Sequence, residues 1–152
     1  MKKMVLVFLC VVLAGCALSL PNYIVNPTPD ESLYMEKVRA QPLEFDITEA
    51  EGSIVWGRAQ SFIGQYSSMK LQIVTDYVIQ TYNPTDDPYK RKFGYYITKT
   101  PMGNNIKISV QCLGNHPYGL DGKPFPTIDL NARILSHYLK TGELPYPHLI
   151  DK

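Results

Sequence analysis

Alternating hydrophobic and polar positions in the middle of the chain predict three β-strands. Residues 70–82 are rich in β-branched and aromatic side chains, and residues 91–100 and 105–112 alternate between apolar and polar side chains. A period of two with one polar side is typical of an antiparallel sheet that is covered on one face. Residues 101–105, which contain proline, glycine and two asparagines, suit a hairpin turn. We therefore predict a three-stranded antiparallel meander.

Apolar residues spaced three and four positions apart predict helices on both sides of these strands. The predicted helices cover residues 29–40, 48–66 and 127–141. The second and third have an apolar stripe along one side, as amphipathic helices do. Each of the first two begins with a threonine that is followed three residues later by a glutamate. This is the spacing of a capping box, so both starting points are well marked.

The order of helix, helix, three strands and helix predicts an α+β fold. Helices that cover one face of an antiparallel meander make a two-layer sandwich, so we expect the helices to pack mainly on one face of the sheet. The other face then carries Tyr96 together with polar side chains from the second and third strands. These polar residues are Thr98, Thr100, Lys107, Ser109 and Gln111.

Composition narrows the choice of function only a little. The chain has 152 residues, of which 45% are hydrophobic and 19% are charged, so it can build a core and is not disordered throughout. Its 15 basic residues nearly balance its 14 acidic residues. Because a nucleic-acid partner favours a strongly basic protein, this balance gives no support to nucleic-acid binding.

The first 16 residues have the pattern of a targeting signal. Lys2 and Lys3 precede an apolar segment at residues 4–14, which is about half the ~20 residues that a membrane-spanning helix needs. Residues 13–16 read Leu-Ala-Gly-Cys. This motif resembles the lipobox of bacterial lipoproteins, and the resemblance covers residues 1–16 only. The alternative is an ordinary cleaved signal that happens to contain a cysteine.

The resemblance implies a lipid anchor at Cys16. Residues 1–15 would be removed, and the new N-terminal cysteine would carry a thioether-linked diacylglycerol and an N-acyl chain such as palmitate. Two or three acyl chains give stable attachment to a membrane. Residues 16–28 would then form the lipidated N-terminus and tether, and residues 29–152 a single domain. In Gram-negative lipoproteins, an aspartate directly after the lipidated cysteine commonly signals retention in the inner membrane. Because Ala17 occupies this position, the resemblance favours the outer membrane, facing the periplasm, for a Gram-negative cell.

The remaining cysteine offers one catalytic hypothesis. With Cys10 removed and Cys16 lipidated, Cys112 has no intramolecular disulfide partner. His116 and Asp121 follow it closely, so a thiol nucleophile with a histidine base is conceivable. However, Cys112 occupies an inward position of a predicted strand and has no neighbour that would activate it. We interpret it as a small buried hydrophobic residue.

The histidines give no metal motif, since no pair of them has the close spacing of zinc ligands. His137 lies in the last predicted helix, and we expect it at the surface or at an edge of the domain. The tyrosines and the only basic run are more suggestive of binding, because tyrosine suits recognition surfaces and basic side chains attract anionic partners. The candidate contact residues are Tyr96, Lys90, Arg91, Lys92, His116 and Tyr118.

These observations lead to a functional hypothesis. We expect a non-enzymatic lipoprotein of the bacterial envelope that binds a protein partner or an envelope polymer, through the loop at residues 113–126 and the exposed face of the sheet. We expect no cofactor apart from the acyl chains on Cys16, and no metal. Two alternatives stay open. One is an envelope thiol enzyme or hydrolase that uses Cys112 and His116, and the other is a carrier of a small ligand in an apolar pocket between sheet and helices.

Overall fold

The described part of the chain has an α+β fold. The computed structural model describes residues 27–85, 87, 90–115 and 126–150. Within these residues there are three α-helices and a five-stranded antiparallel sheet. The helices are α1 (Pro29–Arg39), α2 (Gly52–Tyr66) and α3 (Pro126–Thr141). The strands are β1 (Glu44–Thr48), β2 (Leu71–Val74), β3 (Val78–Thr81), β4 (Phe93–Met102) and β5 (Asn105–Gly114).

The strands lie in the order β1-β5-β4-β3-β2, and every neighbouring pair is antiparallel. The two longest strands, β4 and β5, form the predicted hairpin at the centre of the sheet. β1 and β2 are therefore the two edges. The α+β class and the central hairpin were predicted from the sequence, whereas the number of strands was not.

The predicted three-stranded meander matches the sheet in part, since β3, β4 and β5 are consecutive antiparallel neighbours, but the sheet has two further strands. β1 was missed, because its two buried side chains, Phe45 and Ile47, are too few to establish a period of two. Residues 70–82 form two strands rather than one. Thr75 Oγ1 accepts hydrogen bonds from the N–H groups of Tyr77 (3.2 Å) and Val78 (2.9 Å), which reverses the chain between β2 and β3.

Both predicted capping boxes are present. The carboxylate of Glu31 accepts from Thr28 N (2.7 Å), and Thr28 Oγ1 accepts in turn from Glu31 N (3.3 Å). The carboxylate of Glu51 accepts from both the N–H (2.9 Å) and the hydroxyl (2.7 Å) of Thr48. The second box begins a short 3-10 turn, Glu49–Glu51, and the regular helix α2 follows from Gly52.

The core contains the inward side chains of the central hairpin. As the alternating pattern predicted, these residues are buried: Phe93, Tyr95, Ile97, Ile106, Ile108, Val110 and Cys112. Phe62 of α2 meets the ring of Tyr95 edge-on, with 5.6 Å between the ring centroids. Ile128 of α3 lies so close to Gly114 that a Cβ atom there would be 2.6 Å from its Cδ1. Glycine at the end of β5 therefore permits this close approach of α3.

Candidate functional site

The structure describes four of the predicted contact residues, namely Tyr96, Lys90, Arg91 and Lys92. The other predicted residues, Cys16, His116 and Tyr118, lie outside the described residues, as does most of the loop at residues 113–126. The described part of the candidate site therefore consists of the sheet and the segment that leads into β4.

One row of side chains crosses four strands on the face of the sheet opposite the core. Gln80 of β3 is paired with Tyr96 of β4, which is paired with Gln111 of β5, and Ile73 of β2 is paired with Gln80. Paired residues of antiparallel strands share a face. We call the face that carries this row the outer face. The ring of Tyr96 therefore lies between the amide side chains of Gln80 and Gln111, and the apolar Ile73 lies at the end of the row.

The polar character predicted for the outer face is confirmed. Next to the row lie Thr98 and Ser109, which are paired with each other, and then Thr100 and Lys107, which are also paired. All of these side chains are exposed or half-buried, whereas Ile97, Ile106, Ile108 and Val110 of the same two strands are buried. The outer face is therefore a mainly polar surface in which Tyr96 is half-buried.

A basic segment, Lys90–Lys92, leads directly into β4 and is held by the side chain of Asn115. The Oδ1 atom of Asn115 accepts from Lys92 N (2.9 Å), and its Nδ2 donates to Lys90 O (2.9 Å). Asn115 is buried, and Lys92 also forms an ion pair with Asp87 at 3.3 Å. The backbone of the basic segment is thus fixed at the end of the sheet.

Lys92 and Tyr96 lie along one direction of the sheet. A backbone hydrogen bond from Asn115 N to Lys92 O (3.4 Å) extends the pairing of β4 with β5 beyond the ends of the two strands. Four residues of extended chain span about 13 Å. Side chains alternate between the two faces along a strand, so Lys92 and Tyr96, four positions apart, belong to the same face. The basic segment therefore adjoins the end of the outer face. Asn115 was not among the predicted site residues, because its only signal in the sequence is an asparagine directly after a strand.

Cys112 has the environment of a core residue. It is buried on the core face of β5, as predicted, and its Sγ lies 4.0 Å from Leu113 O. Burial raises the pKa of the Cys112 thiol to about 12. A thiol with such a pKa is protonated at neutral pH, and the protonated form is a poor nucleophile.

His137 is buried in the core, so the prediction that it lies at the surface or at an edge is wrong. Among the described residues, neither ring nitrogen has a hydrogen-bond partner, and the ring of Tyr34 meets the His137 ring edge-on with 5.6 Å between the centroids. The physical reason is that α1 packs against α3 and covers this side of it. Burial lowers the pKa of His137, and the nearby Lys37 and Lys140 lower it further, whereas Glu143 acts in the opposite direction.

This buried histidine predicts a loss of stability in mild acid. The unfolded chain has a histidine pKa of about 6.5, so it binds the proton more readily than the folded protein does. The contribution to stability is therefore complete above about pH 6.5 and is lost as the pH falls toward the lowered pKa of the folded state. In His137→Leu, we expect the free energy of unfolding, measured with urea from pH 7.5 to 5, to depend less on pH.

The exposed His148, which pairs with Glu31 at 2.6 Å, provides the control. His148→Gln should keep most of the wild-type decrease in stability below pH 6.5, because an exposed ion pair contributes little. Parallel pH profiles for the wild type and His137→Leu would show that His137 is not the group responsible.

Two surface pockets lie among the described residues, and both have mixed linings. One, of about 380 Å³, includes Asp76, Tyr77 and Lys99, and the other, of about 280 Å³, includes Ile54 and Arg58. In the described ranges, no group of three or more His, Cys, Asp or Glu side chains is placed to hold a metal ion. Nor do those ranges contain a helix with the length and apolar character needed to cross a bilayer.

The edge strand β2 exposes apolar side chains. Leu71, Ile73 and Val74 are 41%, 39% and 48% exposed, and Tyr77 after them is 55% exposed. Leu71, Ile73, Tyr77 and the buried Ile79 are separated by even numbers of positions, so a single uninterrupted strand would carry all four on one face. The turn at Thr75 and the bulge between Leu71 and Ile73 break that alternation. An apolar edge therefore adjoins the outer face.

Comparison with known proteins does not assign this chain to a family. No protein-family model matches it, and a search of curated proteins found no match either.

Proposed function

We propose that this protein is a lipid-anchored lipoprotein of the bacterial envelope whose domain binds a protein partner or an envelope polymer through the outer face. The observation that carries the binding role is the row Ile73, Gln80, Tyr96 and Gln111, which crosses four strands on the side opposite the core. The sequence Leu-Ala-Gly-Cys at residues 13–16 supports the anchor. For a Gram-negative cell, the proposed location is the outer membrane, facing the periplasm.

The proposal includes a two-layer arrangement in which the helices cover one face of the sheet and leave the outer face open. Contacts from two helices support it. Phe62 of α2 packs on Tyr95, and Ile128 of α3 lies close to Gly114, so both contacts lie on the core side of the sheet. An antiparallel sheet with one face packed on the core and the other in contact with water is a common arrangement.

The chemistry of the outer face suits recognition. Tyr96 offers an apolar ring and a hydroxyl group, a combination that is enriched at the centres of protein interfaces. Gln80 and Gln111 on either side of it can donate and accept hydrogen bonds. The basic segment at the end of the face would attract an acidic protein or a negatively charged polymer and would steer it toward Tyr96.

Binding rather than catalysis is favoured by the position of the thiol. An enzyme that used Cys112 would need a lowered pKa, whereas burial raises the pKa of this thiol to about 12. Because the core face of β5 holds Cys112 among other buried side chains, a substrate would have no direct approach to its Sγ from the outer face. We therefore propose that the protein acts by binding rather than through chemistry at Cys112, and that it needs no cofactor.

A crosslinking experiment tests the proposed contact surface. A photo-crosslinking amino acid at Gln111, directly opposite Tyr96, should capture a discrete partner in intact cells. Tyr96→Ser should lower the yield of that product about tenfold, because a central tyrosine commonly contributes more than 1 kcal/mol to an interface. The measurement is the amount of crosslinked product on a blot.

A matched site on another surface provides the control. Ile54 on α2 is an exposed apolar residue, 58% accessible, and it lies away from the outer face. A crosslinker at Ile54 should not capture the same product. Equal capture from both sites, or a yield that Tyr96→Ser leaves unchanged, would show that the outer face is not the binding surface.

A further inference from the structure

Helix α1 is held to the rest of the domain by few buried side chains. It packs mainly against α3, and only Tyr34 and Val38 of this helix are buried. The ring of Tyr34 meets the rings of His137 and Tyr146 edge-on, with 5.6 and 5.4 Å between the centroids. Elements with few buried apolar contacts are the ones that open locally while the remainder of a fold stays intact. Local opening of this domain is therefore expected to begin at α1.

The chain directly after α1 is fixed independently of the helix. Arg133 of α3 donates a hydrogen bond to Gln41 O at 2.6 Å. Ser136 of α3 donates another to Pro42 O, also at 2.6 Å. A single residue, Ala40, lies between the end of α1 and these fixed carbonyl groups. A change of backbone angles at Ala40 would therefore let α1 leave α3 while β1 stays in place.

The contact between α1 and α3 encloses an imidazole ring that has no partner for a proton. His137 is 1% exposed, and among the described residues neither of its ring nitrogens has a hydrogen-bond partner. The hydroxyl group of Tyr34, across the contact, is likewise buried without a partner. Burying a charge without a partner costs far more than burying a neutral polar group. The closed contact therefore favours neutral His137.

The charges that face His137 also oppose a positive charge there. Burial is the main cause of its lowered pKa, Lys37 of α1 and Lys140 of α3 lower the pKa further, and Glu143 raises it. Glu143 lies 4.0 Å from Lys37, but both side chains are exposed, so this pair contributes little. A proton on His137 would place three positive charges against one carboxylate. Repulsion of Lys37 would then act to move α1 away from α3.

A second histidine at this contact acts in the opposite direction. His148, in the 3-10 turn Pro147–Leu149, lies 2.6 Å from Oε1 of Glu31 in α1. The backbone hydrogen bond from Thr28 lowers the pKa of the Glu31 carboxyl, and His148 lowers it further, so Glu31 stays ionised in mild acid. Protonation of His148 would therefore strengthen this pair and hold α1. The pair lies at the surface, where its contribution is small compared with the cost of a buried charge.

We propose that α1 undocks from α3 in mild acid, when His137 takes up a proton and the chain turns at Ala40, while the sheet, α2 and α3 stay folded. The consequence rests on the proposed function. If Cys16 is the membrane anchor, undocking adds the 11 residues of α1 to the connection between membrane and domain. An extended chain of this length spans about 36 Å. Acid would thus let the domain move farther from the membrane and would expose the side of α3 that carries His137.

Hydrogen–deuterium exchange of the purified full chain in detergent tests this proposal. Peptides that cover α1 are compared with peptides that cover β4 and β5 at pH 7.5 and 5.5, after correction for the intrinsic exchange rates. A histidine with a pKa of about 6.5 in the open form and no proton in the closed form raises the open population about tenfold over this range. We expect exchange in α1 to become up to about tenfold faster at pH 5.5, while β4 and β5 stay protected over the same time.

Three variants separate the contributions to this effect. His137→Leu should abolish the acid-induced increase in α1, because the group that takes up the proton is gone. His148→Gln is the matched control and should keep or enlarge the increase, since it removes only the pair that holds α1 in acid. Lys37→Gln changes an exposed side chain and should leave the fold intact. It should reduce the ratio of exchange at the two pH values, because the closed form then accepts the proton more readily.

Three results would overturn the proposal. One is equal exchange in α1 at both pH values, and another is an acid-induced increase that persists in His137→Leu. The third is exchange of α1 at the same rate as β4 and β5, which would mean that the whole domain unfolds together. These measurements need neither the anchor nor a partner, whereas crosslinking at Gln111 needs both in intact cells. The undocking of α1 and the proposed function can therefore fail independently.

Discussion

Cys16→Ala is expected to release the protein from the membrane fraction. If Cys16 carries two or three acyl chains, each buried methylene contributes about 0.8 kcal/mol to membrane binding, and their loss removes attachment almost completely. We expect the membrane-bound fraction to fall by more than about tenfold. Intact mass should show an increment that matches the acyl chains in the wild type, and the variant should lack it.

Cys10→Ala is the matched control for this experiment. Cys10 lies in the apolar segment before the Leu-Ala-Gly-Cys motif, so its replacement should leave processing and sedimentation as in the wild type. If the wild type and Cys16→Ala were both soluble, without added mass and equally processed, the lipoprotein hypothesis would be wrong. The domain would then be a secreted protein, with Cys16 available as an ordinary thiol.

The elements that the sequence predicted well are the long ones. β4 and β5 have ten residues each, which is enough for a period of two to be unmistakable, and the helices are marked by capping boxes and apolar stripes. β1 and β2 have five and four residues, and no period can be established over such a length. The turn between β2 and β3 depends on the side chain of Thr75 rather than on a glycine or a proline, so the usual turn signals were absent.

The candidate site divides in the same way into local and non-local features. The parity of β4 alone placed Tyr96 on the outer face, and the structure agrees. The anchoring of the basic segment by Asn115 joins residues that are 23 and 25 positions apart, which a local pattern does not contain. The burial of His137 likewise depends on α1 packing against α3 from a distant part of the chain.

Phe62→Ala is expected to lower the free energy of unfolding by about 3–5 kcal/mol, the usual cost of removing a buried phenylalanine. Phe62 is fully buried, and its ring meets three tyrosine rings, those of Tyr66, Tyr95 and Tyr138, at centroid distances of 5.1, 5.6 and 5.8 Å. These contacts join α2 to the sheet and to α3. A domain of this size is stable by only about 5–15 kcal/mol, so the variant would lose a large part of its stability.

Urea unfolding measures this effect, with the slope of the transition checked for a change in the unfolded state. Ile54→Ala on the same helix is the control, because Ile54 is 58% exposed and its truncation should cost less than about 0.5 kcal/mol. A loss below about 1 kcal/mol in Phe62→Ala would contradict the packing of α2 on the core face, since a ring held among three others leaves a cavity that its neighbours cannot fill. So small a loss of stability would also count against an open outer face, because an open outer face requires the helices to cover the opposite side of the sheet.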